Sequence, residues 1–199
     1  VITVLIGMPL SVVTGYALAR YKIKFKNLII SFILMTIVIP VFTTIIPIYS
    51  FFMEHSMLDS MLWTSVIFIS AFIPLNIWII MNYFRELPED LWEAAAIEGA
   101  NERQLFFQIG LPLAKPIILT SSLVIFLMSW KQYIIPMLLL SSHNNKVLTL
   151  IMSEFMTRDA INYSVIAMSG IIVIIPPLLA SIIFRKNLVS GLTAGSVKE

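Results

Sequence analysis

Residues 61–84 read MLWTSVIFISAFIPLNIWIIMNYF. The stretch holds no Asp, Glu, Lys or Arg. As a helix it rises about 36 Å at roughly 1.5 Å per residue, enough to cross a hydrocarbon layer about 30 Å thick. Pro74 sits in its middle. In water that proline would argue against a helix; in a bundle, neighbouring helices and local distortion satisfy the carbonyl it frees. The stretch therefore predicts a transmembrane helix.

Four more stretches of the same kind lie on either side: Val1–Ala19, Leu28–Phe52, Ile117–Leu140 and Tyr163–Phe184. Prolines 9, 40, 47, 136, 176 and 177 fall within them. Composition agrees, with 59% hydrophobic and 12% charged residues and a mean hydropathy of +0.95. A soluble domain needs more polar surface than this. Alternating-polarity strands of about ten residues are missing, which argues against a β-barrel. The expected fold is an all-α integral membrane protein, a polytopic helix bundle with five spans, forming one domain over residues 1–199. A net charge of +2 gives no basis for nucleic-acid binding, and the lack of cysteine excludes disulfides and thiolate chemistry. The chain opens inside an apolar run at Val1. No basic region precedes that run and the charged ALARYKIKFK follows it, so it does not read as a cleaved signal peptide, and an upstream part is expected.

The charges orient the spans. The first connection carries Arg20, Lys22, Lys24 and Lys26; the third carries Arg85, Arg103 and Lys115; the tail carries Arg185, Lys186 and Lys198. The second carries Glu54 and Asp59 with no Lys or Arg, and the fourth carries only Lys146 and Arg158. Positive residues favour the cytoplasmic side. The third connection and the C-terminus are expected there, in a multi-pass protein of the plasma membrane.

That third connection, residues 85–116, is neither a span nor a simple loop. ELPEDLWEAAAIEGAN carries helix signals in order. Pro88 suits a first turn, Glu89 and Asp90 suit the positive end of the helix dipole, and Gly99 suits a left-handed stop. Asn101 and Gln104 have capping-box spacing, starting a second helix that Gly110 and Pro112 are expected to end. Local pattern leaves two readings: an amphipathic linker on the membrane surface, or a helix seated in a protein groove. The acids Glu86, Glu89, Asp90, Glu93 and Glu98 weigh against the first, because surface-bound helices favour Lys and Arg. The alanines suit close backbone approach in a groove.

The residues Glu93-Ala94-Ala95, Gly99, Ile109 and Leu111-Pro112 resemble the cytoplasmic loop signature of the membrane subunits of bacterial ABC importers. LPEDLWEAAAIEGA, LPLAKP, GYALARYKIKFKN, IIPIYSFF and the tail GLTAGSVKE resemble the carbohydrate-uptake branch, the maltose-type permeases, and the tail resembles its G-like half. The resemblance runs through the whole chain in order. Where that family usually has Asp, Ala and a Trp-Asn-acid run, this chain has Glu98, Ser196 and Trp130-Lys131-Gln132-Tyr133. Six spans are usual, so one N-terminal span and part of the next are expected to be missing. The resemblance implies a coupling helix, comprising Glu93, Ala94, Ala95, Glu98, Gly99 and Ala100 with Leu111 and Pro112, that docks on a cytoplasmic ATPase subunit. It implies a tail, with Gly191 and Gly195, that reaches the same ATPase. It further implies a second permease subunit, a dimer of ATP-binding cassette subunits and an extracellular or periplasmic sugar-binding protein. The chain has no G-x-x-x-x-G-K-[ST] motif, so ATP is expected to be used by the partner ATPase, with no cofactor bound here.

Lys131 falls inside a predicted span, where a charge either marks a substrate path or snorkels to the interface. Trp130 and Tyr133 could stack on sugar rings, although such aromatics more often pack or anchor. His55 and His143 read as solvated loop residues without metal-ligand spacing. The carboxylates of the 85–116 segment lack the enclosed site a hydrolase needs. A permease for a non-sugar solute, such as an amino acid or polyamine, would be expected to lack the GLTAGSVKE tail. An ion-coupled transporter or channel would be expected to carry intramembrane acids, and none falls in a predicted span.

Overall fold

A computed structural model describes residues 1–142, 145–154 and 163–193. His143, Arg158, Gly195, Ser196 and Lys198 lie outside them. Helix α1 (Ile2–Arg20) and helix α4 (Met61–Glu86) form the centre. Their approach is set by small residues on one face of α1, Gly7, Ser11 and Gly15. A Cβ on Gly15 would lie 2.9 Å from Ile80 Cγ2 and 3.1 Å from the Met81 backbone nitrogen, so only glycine lets the two backbones come this close. Without a hydrophobic drive between helices in lipid, such close packing is what holds the pair.

The second predicted span is two helices, α2 (Lys26–Val38) and α3 (Val41–Glu54), bent by 93°. Ile39 precedes Pro40 and is extended at φ −69°, ψ 117°, the conformation a following proline ring favours. Then come α5 (Glu89–Ile97), α6 (Glu102–Gln104), a π-helical turn (Leu105–Gly110), α7 (Leu111–Leu113) and α8 (Lys115–Trp130). The chain continues with α9 (Ile134–Leu139), α10 (Leu148–Glu154) and α11 (Tyr163–Thr193). Helices α1, α4 and residues Tyr163–Arg185 of α11 are each long and apolar enough to cross a membrane. Counting each of two bent pairs as one crossing gives up to five among the described residues. Helix α8 packs on α1, α4 and α11, and α2 on α4.

Three further expectations are corrected. The span expected over Ile117–Leu140 breaks after Trp130. Pro136 would press its ring on the carbonyl of Gln132 in a continuous helix; instead that carbonyl accepts the Thr149 hydroxyl at 2.8 Å. Gly110 and Pro112 do not end the second helix of the connection. Gly110 is helical, at φ −59°, ψ −52°, and the chain bends by 69° around Ala114. Pro112 and Pro116 cannot donate to the carbonyls one turn earlier, so the helix widens and then turns. The Leu113 carbonyl accepts the Tyr83 hydroxyl at 2.7 Å. Finally, α11 runs past Phe184 through Gly191 to Thr193, so the first residues of the tail are helical.

Candidate functional site

The α5 end of the bundle is built by local signals. Pro88 is the N-cap rather than the first helical residue, at φ −55°, ψ 135°. At the other end Glu98 is the C-cap and Gly99 adopts φ +87°. The Gly99 N–H donates to Ala96 O and the Ala100 N–H to Ala95 O, both at 3.0 Å. These are the two reversed bonds of a Schellman stop, and the positive φ is why glycine serves there. The capping box follows: the Gln104 N–H donates to Asn101 Oδ1 at 3.0 Å, and the Asn101 N–H to Gln104 Oε1 at 2.9 Å. Two short helices thus meet at a fixed corner.

The faces of α5 differ. Glu89, Asp90, Glu93, Ala94, Ala96 and Glu98 are exposed, and so are Leu91 and Ile97, the latter 87%. No ion pair among the described residues involves these acids; the one present joins Lys146 and Glu154. Ala95 and Ala100 turn toward the core. Leu111 also packs there, while Pro112 is exposed. Six of the expected docking residues therefore share one helix and its cap, while Leu111 and Pro112 lie in α7, beyond α6 and the π-helical turn.

Sequence reading passed over the residue that fixes this helix. Trp92 is 2% exposed. The Arg20 guanidinium lies 4.5 Å from its ring centroid, and the Tyr16 ring meets it edge-on at 5.9 Å. Tyr16 in turn contacts Phe84 and Phe106 at 5.2 and 4.8 Å. The available signal was a single indole in an acidic, alanine-rich helix, three residues ahead of Ala95 and so on the same face. Nearby, the Tyr21 hydroxyl donates to Glu102 at 2.9 Å. That bond, then partial burial and the Glu102 charge, hold the Tyr21 phenol above its ordinary pKa.

At the far end lies a cavity of about 410 Å³ between the start of α1, the start of α4, the end of α8 and α10. Trp130, Ser129, Gln132, Thr64 and Thr149 line it, as do Val1 to Thr3. The Trp130 indole donates to the Val173 carbonyl of α11 at 3.0 Å and tilts against Phe126 at 5.6 Å. Lys131 and Tyr133 do not line it. Lys131 is exposed at the end of α8, where the helix has broken, and Tyr133 is exposed on the break. The three aromatic and basic candidates are thus divided. His55 stacks on Phe51, and its Nδ1 lies 2.9 Å from the carbonyl of the same residue. No group of acids and histidines among the described residues could hold a metal.

On the same side of the molecule Asp59 ties two connections together. Its Oδ1 accepts the backbone N–H groups of Ser141 and Ser142 at 3.2 and 2.9 Å, and its own N–H donates to Leu139 O at 2.7 Å. Hydrogen bonds from Ser142 above all hold its carboxyl below the usual range.

Comparison with known proteins gives this architecture a setting. The arabinooligosaccharides transport permease AraQ of Halalkalibacterium halodurans is 27% identical over 198 residues, covering 100% of this chain and 70% of the relative. The melibiose/raffinose/stachyose import permease MelC of Bacillus subtilis is 27% identical, covering 92% and 67%. The trehalose transport permease SugB of Mycobacterium tuberculosis is 28% identical, covering 99% and 73%. The chain thus spans about two thirds of the length of such relatives. Residues 7–193 match one family, which takes in every described helix from the first turns of α1 to the end of α11. This chain, a multi-pass membrane protein, belongs to the family of binding-protein-dependent transport system inner membrane components.

Proposed function

We propose that the chain is the membrane-spanning permease subunit of an ATP-driven importer for a mono- or oligosaccharide, with α5 docked on a separate ATPase. On this reading it works with a second permease subunit, a dimer of ATP-binding cassette subunits and an extracellular or periplasmic sugar-binding protein. It lies in the lipid of a bacterial plasma membrane, with α5 and the C-terminus in the cytoplasm. ATP is bound and hydrolysed by the partner, and this chain holds no cofactor. Gly191 and Gly195 belong to a tail that reaches the ATPase, and Trp130 lies toward the solute path.

The sugar assignment draws on the relatives' names, which specify arabinooligosaccharides, melibiose and trehalose. The observation that carries the docking role is the outward face of α5. It sets Ile97 and Leu91 in the open among Glu89, Asp90, Glu93 and Glu98. Such a face suits a groove with an apolar floor and basic or N–H donors at its rim. ATP binding shifts the ATPase dimer between two states, and a helix docked on it biases the bundle between outward- and inward-facing arrangements. Glu93 supplies a charged hydrogen bond of about 1.5–3 kcal/mol if desolvated.

Glu93→Lys and Gly99→Val test this. A Cβ at residue 99 meets nothing within 4 Å, so the second change acts through backbone strain of roughly 1 kcal/mol. Neither lies in a span, and both should leave insertion intact. Both should lower co-purification of the ATPase or leave hydrolysis without uptake. Normal ATPase retention with normal uptake in both variants would reduce residues 85–116 to a linker.

A further inference from the structure

We propose that Trp92 is the positioning residue through which movement of α5 reaches α1 and α4, with the covalent path into α8 acting as the compliant arm. The proposal rests on the docking role given to α5 above and adds the route by which the bundle is moved.

Helix α5 is nine residues long, and Trp92 is its one buried side chain. Its ring is held from two separate parts of the chain. Arg20 lies over one face at 4.5 Å and Tyr16 meets it edge-on, both from the last turns of α1. Gly110, in the π-helical turn, stands against its far rim: a Cβ there would come within 3.2 Å of Trp92 Cη2 and 3.4 Å of Tyr16 Cε2. Tyr16 continues the contact to Phe84, near the end of α4. Behind this cage α1 and α4 are packed backbone to backbone at Gly15. A push on α5 therefore meets a stiff pair of helices.

The other path is interrupted. From α5 the chain turns at Gly99, passes through the π-helical turn and bends by 69° before α8 begins. Pro112 and Pro116 remove two backbone donors from this stretch, and kinks concentrate at prolines and at π-helical turns. The indole N–H of Trp92 has no hydrogen-bond partner. The ring is thus held by shape and by the guanidinium over its face, interactions that phenylalanine also makes in part.

The chain contains no cysteine, so a single label site can be introduced cleanly. Leu5, exposed near the far end of α1, takes a nitroxide through Leu5→Cys in the assembled complex with cysteine-free partners. Nucleotide is trapped with ATP and vanadate, and trapped nucleotide and the label's spectrum are read separately. In the parent complex trapping should shift the spectrum. With Trp92→Ala, trapped nucleotide should stay within about twofold of the parent while the shifted fraction falls at least tenfold. Trp92→Phe should restore the shift to within about twofold. Gly110→Ala should lower it about threefold or more, and adding Trp92→Phe to Gly110→Ala should recover it, because Phe lacks the Cη2 atom that the methyl strikes. An unchanged shift in Trp92→Ala overturns the proposal, as does failure of Phe to rescue either variant. If Trp92→Ala does not assemble, the Gly110 pair alone decides. Loss of ATPase binding in Glu93→Lys alongside a normal shift in Trp92→Ala would sink this route and leave the docking role standing; normal ATPase binding and uptake in Glu93→Lys and Gly99→Val would sink the docking role itself.

Discussion

Helices α1 and α4 and helix α11 are alike in sequence and opposite in setting. Their most apolar windows have mean hydropathies of 1.8, 2.0 and 2.4. Of those windows 44% is buried in α1 and in α4, and none in α11. Apolarity is thus the same response to two demands, packing against protein and facing lipid or another chain. The glycines make the distinction concrete. A Cβ on Gly15 strikes Ile80 and the Met81 backbone, whereas one on Gly170 meets nothing within 4 Å. Gly170 thus serves no close helix contact among the described residues, and the neighbouring Ser169 hydroxyl donates to its own helix at Val165 O.

The largest expected effect breaks that comparison at its tight side. Gly15→Val should cost about 1–3 kcal/mol through overpacking against a backbone that cannot yield, and lower the temperature of unfolding in detergent. Gly170→Val should change the chain's own stability by less than about 0.5 kcal/mol. If Gly170→Val instead weakens the assembled transporter as much as Gly15→Val does, α11 packs on a second subunit there and the contrast belongs only to the isolated chain. Next comes the link between the two regions. Trp130→Phe removes the indole bond to Val173 and should cost about 0.5–1.5 kcal/mol, read as faster amide exchange within residues 163–185. Unchanged exchange would mean α11 is held without it.

The smallest effect concerns Asp59. Its folded pKa is depressed, so its contribution is complete above the unfolded value of about 3.9 and is lost as pH falls through the lower folded value. Proteolysis at the Ser141–Ser142 connection should be flat from pH 8 to 5 and rise only below about pH 4, and Asp59→Ala should show the low-pH rate throughout. A rise near pH 6 would assign the loop's stability to another group.

The corner between α5 and α6 was legible because its determinants are neighbours in sequence. Gly99 three residues past an alanine run, and Asn101 three before Gln104, specify their own bonds wherever the segment lies. The outward or inward sense of Glu93 and Ala95 was not, since acidic and small residues tolerate either. Trp92 escaped notice because an indole adds little to a helix signal, and its value comes from Tyr16 and Arg20, more than seventy residues away in the chain. Lys131 was placed in a span because hydropathy averages over a window, while Pro136 acts at a single carbonyl.

By itself the sequence determined that this chain crosses a membrane several times as helices. Only helices and closed barrels satisfy the backbone in lipid, and long apolar runs without alternation select the helix. It also determined the local stops and caps, which close within a few residues. The tertiary structure alone decided which apolar faces meet protein, where prolines bend a span and where they are absorbed, and that Trp92 pins α5 to α1. Those outcomes depend on steric fit between segments distant in the chain, at contacts of 3 to 6 Å that no single stretch of sequence contains.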